Sequence, residues 1–254
     1  MLDFTGYKVV VTGGSRGIGR ATALAFAKKG AAVSICARGE SSLRQTEGEL
    51  SDHAGKGQAH KIHAAVCDLA DDQAIDRYIA AAAAALGGVD VLINNATGYS
   101  EETVDAWKDC LTVDVMAAVR ASDAALPHLA QSGKASIINI SSISGLRPSM
   151  RTPAYAAAKA ALIQYTTSQA LALAAQGIRV NCIAPGSVEF PGGYWEKRKT
   201  TNPDLYEATL KSIPFGRYGR ADEIANVAEF LASPMASWVT GQTIVADGGQ
   251  VLGG

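Results

Sequence analysis

The chain has 254 residues, 48% of them hydrophobic and 19% charged, which excludes a disordered chain and suffices for a full buried core. A net charge of −1 gives no basic field for nucleic acid or an anionic membrane. Four scattered cysteines without a CxxC pair argue against a disulfide scaffold or a cysteine zinc site. The first six residues carry no basic or apolar leader, and no apolar run approaches a span of about 18 residues, so a soluble, cytoplasmic protein is expected.

Short apolar runs alternate with helical patterns along the whole chain. Lys8–Thr12 reads as a strand ending in a glycine-rich turn, and Arg20–Lys29 as a helix stopped by Gly30. Strand Ala32–Ala37, helix Ser41–Leu50, strand Ile62–Cys67 and an alanine-rich helix Asp72–Leu86 follow, the last stopped by Gly87-Gly88. Val89–Asn94 is a fourth strand. Trp107–Leu129 reads as a long helix interrupted near Pro127, and Ser136–Ile140 as a fifth strand. Helix Pro153–Ala175, strand Ile178–Ile183, helix Ala221–Ala232 and strand Thr243–Ala246 complete the series. Apolar strands separated by helices predict an α/β fold, a doubly wound parallel sheet with helices on both faces. No composition break marks a second domain, so residues 1–254 are expected to form one. Ser187–Gly219 reads as irregular and is too long for an ordinary connection, as lids and binding loops are.

The turn Thr12-Gly13-Gly14-Ser15-Arg16-Gly17-Ile18-Gly19 joins the first strand to the first helix. Glycines at 13, 17 and 19 permit close backbone approach, and a helix N-terminus suits a pyrophosphate. The same residues also match G-x-S-x-G, a hydrolase nucleophile elbow, whose mechanism needs a histidine later in the chain. No histidine follows His128. His60 and His63 read as a strand-edge pair, and no metal site is expected because no Cys, Asp or Glu clusters with them.

Tyr155 and Lys159 lie four apart near the start of the long helix after Pro153, on one face. A lysine held within about 4–6 Å favours a phenolate, by about 1–3 pKa units, and makes a tyrosine serviceable as a general acid/base. An amphipathic helix with a snorkelling lysine has the same pattern. Ser142, just past the fifth strand, adds a hydroxyl at the carboxyl edge of the sheet, where ligands bind in such folds.

At these residues the chain resembles the short-chain dehydrogenase/reductase family, in its compact single-domain branch, over essentially its whole length. TGGSRGIG at 12–19 is similar to the family's cofactor loop, Asp68 to its adenine-contacting aspartate, and Asn94-Asn95-Ala96 to its NNAG segment. Ser142 stands at the family spacing before Tyr155-x-x-x-Lys159, and Pro185-Gly186 and Asp247-Gly248-Gly249 also match. The resemblance implies a Rossmann fold and hydride transfer between NAD(P)H and a carbonyl carbon. Tyr155 would exchange the proton, Ser142 would polarise the carbonyl, and Lys159 would tune Tyr155 and hold the nicotinamide ribose. It further implies cofactor contacts from Gly13, Ser15, Arg16, Gly17, Ile18, Gly19, Arg38, Asp68, Leu69, Asn95, Ala96, Pro185, Gly186 and Val188, besides Tyr155 and Lys159. Val188 would bind the carboxamide through its backbone.

Two positions depart from the pattern. Thr97 stands where the family has glycine, and Asp114 where it has an asparagine that holds a water relaying protons from the lysine. The aspartate's charge would stabilise protonated Lys159 and alter the relay, so Asp114 is a candidate catalytic residue.

The second strand ends at Ala37 followed by Arg38, where a binder of a 2′-hydroxyl carries Asp or Glu. Arg38, with Arg16, could pair with a 2′-phosphate, so NADP is expected over NAD. On the substrate side, Phe190, Tyr194, Trp195, Tyr206 and Phe215 fit either an aromatic lid or a small core that anchors the loop. Lys197-Arg198-Lys199 fits a solvated run or a patch for a phosphopantetheine carrier. The leading expectation is an NADPH-dependent reductase of a 3-oxoacyl thioester or related ketone. The alternatives are an NAD(P)-dependent alcohol or sugar-alcohol dehydrogenase, or a catalytically silent NADP-binding regulator. The resemblance also implies a homotetramer that uses the two long helices.

Overall fold

The computed structural model describes residues 2–53, 61–98 and 103–253. Seven strands form one sheet: β1 (Lys8–Thr12), β2 (Ala32–Ala37), β3 (Ile62–Val66), β4 (Val91–Asn94), β5 (Ser136–Ile140), β6 (Arg179–Pro185) and β7 (Thr243–Ala246). All neighbours are parallel, in the order β3-β2-β1-β4-β5-β6-β7. The order reverses between β1 and β4, which opens a crevice at the carboxyl ends of those strands.

The helices are α1 (Gly17–Lys28), α2 (Glu40–His53), α3 (Asp72–Leu86), α4 (Val104–Cys110), α5 (Ala117–Leu129), α6 (Pro153–Leu173), α7 (Tyr194–Thr201), α8 (Pro203–Lys211) and α9 (Ala221–Ala232). Strand residues alternate between two cores. Val9, Val11, Val91, Ile93 and Ile138 face α1, α2 and α9, whereas Val10, Leu92 and Ile137 face α3, α5 and α6. Burial on both faces explains why these strands read as unbroken apolar runs.

The doubly wound parallel sheet is as expected, with three differences. The first helix begins at Gly17, not Arg20, so the last glycines of the turn are its first turn. The long helix is not interrupted at Pro127; α5 runs through it to Leu129, and the irregularity is a π-helical turn at Leu111–Met116. Pro127 lies in the last turn, where its missing N–H forfeits one terminal bond. The stretch 187–219 is not irregular: it contains α7 and α8. Asn202 caps α8 through the N–H of Leu205, with Pro203 as its first residue.

Among the described residues, no helix is long and apolar enough to cross a membrane. All four cysteines are free, buried thiols. His63 Nδ1 lies 2.9 Å from Ser34 Oγ. His60 lies outside the described residues.

Candidate active site

The glycine turn sits at the sheet's switch point. Gly13 has φ +68, and a Cβ there would come within 2.9 Å of the Ala96 Cα, so the turn after β1 and the segment after β4 touch backbone to backbone. Asn95 locks this contact by donating from Nδ2 to the carbonyls of Thr12 and Gly13, while its N–H donates to Thr12 Oγ1. α1 starts without a side-chain cap and without an acidic residue in its first turn. The N–H groups of its first turn have no intrahelical partner, so Gly17, Ile18 and Gly19 offer an anion cradle. The residues fit a dinucleotide's phosphates on that ground.

Around the cradle, Ser15 is partly buried and accepts from Thr46 Oγ1 through its carbonyl. Arg16 and Arg38 are exposed, and among the described residues neither forms an ion pair with a carboxylate. Asp68, past β3, accepts from the N–H of Ala70, and Leu69 is buried beside it. At the other side of the crevice, Pro185 ends β6 and Gly186 packs so closely that a Cβ would meet Asp247 Cβ at 2.7 Å. Val188 pairs with Gly219 in a lone parallel bridge.

Ser142, Tyr155 and Lys159 converge where β5 meets α6. Ser142 opens a tight turn, Ile143–Gly145, and its Oγ accepts from the N–H of Ser144. Ser141 Oγ donates to the carbonyl of Lys159, and a Cβ on Gly145 would lie 2.7 Å from the Lys159 carbonyl carbon. Only glycine at 145 lets the turn press on the helix, and this contact holds Ser142 against Tyr155. Lys159 is buried; its Nζ donates to the Ile140 carbonyl at 2.9 Å and lies 5.6 Å from the centre of the Tyr155 ring.

Asp114 joins this group from the π-helical turn. Its Oδ1 lies 2.8 Å from Lys159 Nζ, outside hydrogen-bond alignment, and its Oδ2 accepts from the N–H of Gly98. Both partners are sealed, with side-chain exposures of 2% for Lys159 and 0% for Asp114. The Tyr155 phenol does not sit below the ordinary tyrosine value. Burial pushes it up, Lys159 pulls it down, Asp114 pushes it up again, and a hydrogen bond with Ser142 pulls it down; the balance is raised. The expected lowering by lysine is therefore present but outweighed. For Lys159, burial opposes the charge, but Asp114 and Tyr155 favour it, and the balance is again raised.

Beside Tyr155 lies a cavity of about 270 Å³, lined by Thr103, Trp107 and Cys110 of the α4 segment and by Thr152 and Ala154. This wall lies outside the 187–219 stretch, and apolar Val104 and Trp107 are its signal in the sequence. A buried ladder also went unread. Asn94 Nδ2 donates to Asn139 Oδ1 and Ser122 Oγ, and Asn139 Nδ2 to Thr166 Oγ1, which ties β4, β5, α5 and α6 together.

In the 187–219 stretch, Trp195, Tyr206 and Tyr218 pack with Leu210 and Ile213 as a small core of their own. Tyr218 Oη donates to the Tyr206 carbonyl, and Tyr206 Oη donates to Glu189, which pushes Tyr206 up to about 12. Phe190 lies against Gly17, whose Cβ would meet its ring at 2.6 Å, and Phe215 is largely exposed. Lys199 pairs with Glu189 at 3.8 Å and Arg198 stacks over Tyr194, so two of the three cations are engaged within the loop. Gln250 anchors the loop from the C-terminal tail, accepting from the N–H of Ser187 and donating to the hydroxyls of Ser187 and Ser212.

The family profile described as enoyl-(acyl carrier protein) reductase matches residues 13–250. Isoepoxydon dehydrogenase patN of Aspergillus clavatus is 39% identical over 98% of this chain and 96% of its own. The 3-oxoacyl-[acyl-carrier-protein] reductase FabG of Vibrio cholerae is 34% identical over 99% and 100% of the two chains. The crystal structure of a short chain dehydrogenase from Burkholderia cenocepacia in complex with NADP superposes with a TM-score of 0.88 at 30% identity, covering 98% of this chain and 99% of that one. By these matches over nearly its full length, the chain belongs to the short-chain dehydrogenase/reductase family and is an oxidoreductase.

Proposed function

We propose that the protein is an NADPH-dependent carbonyl reductase, with a 3-oxoacyl thioester or a related ketone as substrate. The observation that carries the reading is the convergence of Ser142, Tyr155 and Lys159 at the carboxyl edge of the sheet, next to a cavity beside Tyr155. The dinucleotide, when bound, supplies the hydride. Gly13, Ser15, Gly17, Ile18 and Gly19 would hold its phosphates, Asp68, Leu69, Asn95 and Ala96 its adenosine side, and Pro185, Gly186 and Val188 its carboxamide end. Ser142 orients and polarises the carbonyl. Tyr155 donates the proton to its oxygen, and Lys159 holds the ribose and a positive charge near the phenol. Asp114 acts on the proton through Lys159.

Arg38 after Ala37, with Arg16 nearby, supports NADP over NAD, because two exposed guanidiniums suit a 2′-phosphate and no carboxylate stands there for a 2′-hydroxyl. One domain carries both sites, with the 187–219 stretch and the Trp107 wall selecting substrate. Exposed Leu111 and Met116, in the π-helical turn that leads into α5, support assembly through the long helices, as in a homotetramer. Comparison of kcat/KM for NADPH and NADH across ketones, acyl thioesters and sugars tests the reading. Turnover of a ketone or thioester with NADPH preferred is the expected result. Preference for NADH removes the cofactor assignment, sugar-alcohol oxidation favours the dehydrogenase reading, and cofactor binding with no turnover favours the regulator.

A further inference from the structure

The departure at Asp114 changes the charge of the whole proton-handling group. An asparagine in its place would be neutral, whereas a carboxylate 2.8 Å from Lys159 Nζ in a sealed site cancels much of the ammonium's field. That field is what stabilises a phenolate on Tyr155. The carboxylate cannot turn away easily, because Oδ2 accepts from the N–H of Gly98 and the backbone around it is a π-helical turn. Among the described residues, the other titratable groups facing the pair are the thiols of Cys110 on α4 and Cys182 on β6. Ser142 and the Ile140 carbonyl, from the end of β5, are neutral. Among the described residues, no second cation restores what Asp114 cancels.

We propose that Asp114 is a positioning residue that, by offsetting the field of the Lys159 ammonium, keeps the proton on Tyr155 and so shifts the alcohol-oxidising activity of the site to higher pH while leaving carbonyl reduction active at neutral pH. In reduction the Tyr155 Oη–H bond breaks and its proton goes to the carbonyl oxygen as the carbon takes up the hydride; the phenolate then regains a proton from solvent. In oxidation the phenolate accepts the hydroxyl proton as hydride leaves the carbon. The first direction starts from the phenol, the second from the phenolate, so a group that favours the phenol delays only the second as pH rises. The directions of the electrostatic effects agree: Asp114 raises Tyr155 and also holds Lys159 protonated.

The proposal rests on the reductase reading for its kinetic consequence but not for its spectroscopic one. Asp114→Asn keeps the size of the side chain and an acceptor for Gly98. The variant is expected to move the rising limb of the oxidative kcat/KM profile down by about one pH unit or more. Its reductive kcat at neutral pH changes less than the oxidative one. NMR of isotope-labelled tyrosine, with Tyr155→Phe to assign the signal, is expected to show the Tyr155 titration moving down by a similar amount. In the wild-type protein that titration is expected above the ordinary tyrosine value of about 10. An unmoved or upward-moving titration in Asp114→Asn overturns the proposal. Asp114→Ser, which also removes the charge, gives the same reading if Asp114→Asn does not fold. If no carbonyl or alcohol is turned over, the reductase reading fails while the titration still decides the role of Asp114.

Discussion

The glycine cradle and the 187–219 stretch flank the same crevice but are built differently. The cradle is backbone: Gly13 touches Ala96, Asn95 ties both strands' ends together, and α1 leaves its first N–H groups without side-chain caps. The stretch is side chain: an aromatic cluster on two short helices, a Tyr206–Glu189 bond and the Gln250 anchor. Backbone geometry admits few residue types, so the first region is narrow in what it tolerates. Side-chain packing admits many solutions, so the second is where related oxidoreductases can differ in substrate.

That contrast is open to test. Between the two regions, Tyr155→Phe should have the largest effect. Loss of the proton donor should lower kcat by about 10²- to 10⁴-fold while cofactor affinity, read by fluorescence titration, stays. A drop in affinity of the same size would place Tyr155 in binding rather than chemistry. Gly13→Ala forces a positive φ on alanine and a clash with Ala96, and should cost about 1–3 kcal/mol of stability together with cofactor affinity. Thermal unfolding with and without NADPH reads both. Arg38→Ala should lower the NADPH-over-NADH ratio of kcat/KM by about ten-fold or more, the size of one or more lost charge-assisted bonds. Smallest of all, Tyr218→Phe removes the bond to the Tyr206 carbonyl and should cost about 1 kcal/mol in denaturant, with cofactor affinity untouched. If Tyr218→Phe weakened the cofactor as much as Gly13→Ala, the two regions would not be independent.

Legibility in the sequence follows the same line. The seven strands and the glycine turn were readable because buried parallel strands are continuous apolar runs and a turn with φ +68 demands glycine. The start of α1 at Gly17 was not, because glycine is a poor helix former and the turn's geometry overrides that preference. α7 buries no residue fully and so has no apolar stripe to read; α8 carried a usable signal in Asn202-Pro203. Tyr155, Lys159 and Ser142 could be named, but the balance at Tyr155 could not. It depends on burial, which spacing does not carry, and on how closely the π-helical turn brings Asp114, which the resemblance named, to Lys159.

The central claim is a hydride passed to a carbonyl carbon with Tyr155 giving the proton. A single-turnover reaction of the enzyme with deuterium-labelled NADPH and a ketone or 3-oxoacyl thioester tests it most directly. The account predicts one deuterium on the carbinol carbon of the product and near loss of the reaction in Tyr155→Phe. A product without deuterium, or Tyr155→Phe transferring it at the wild-type rate, would contradict it.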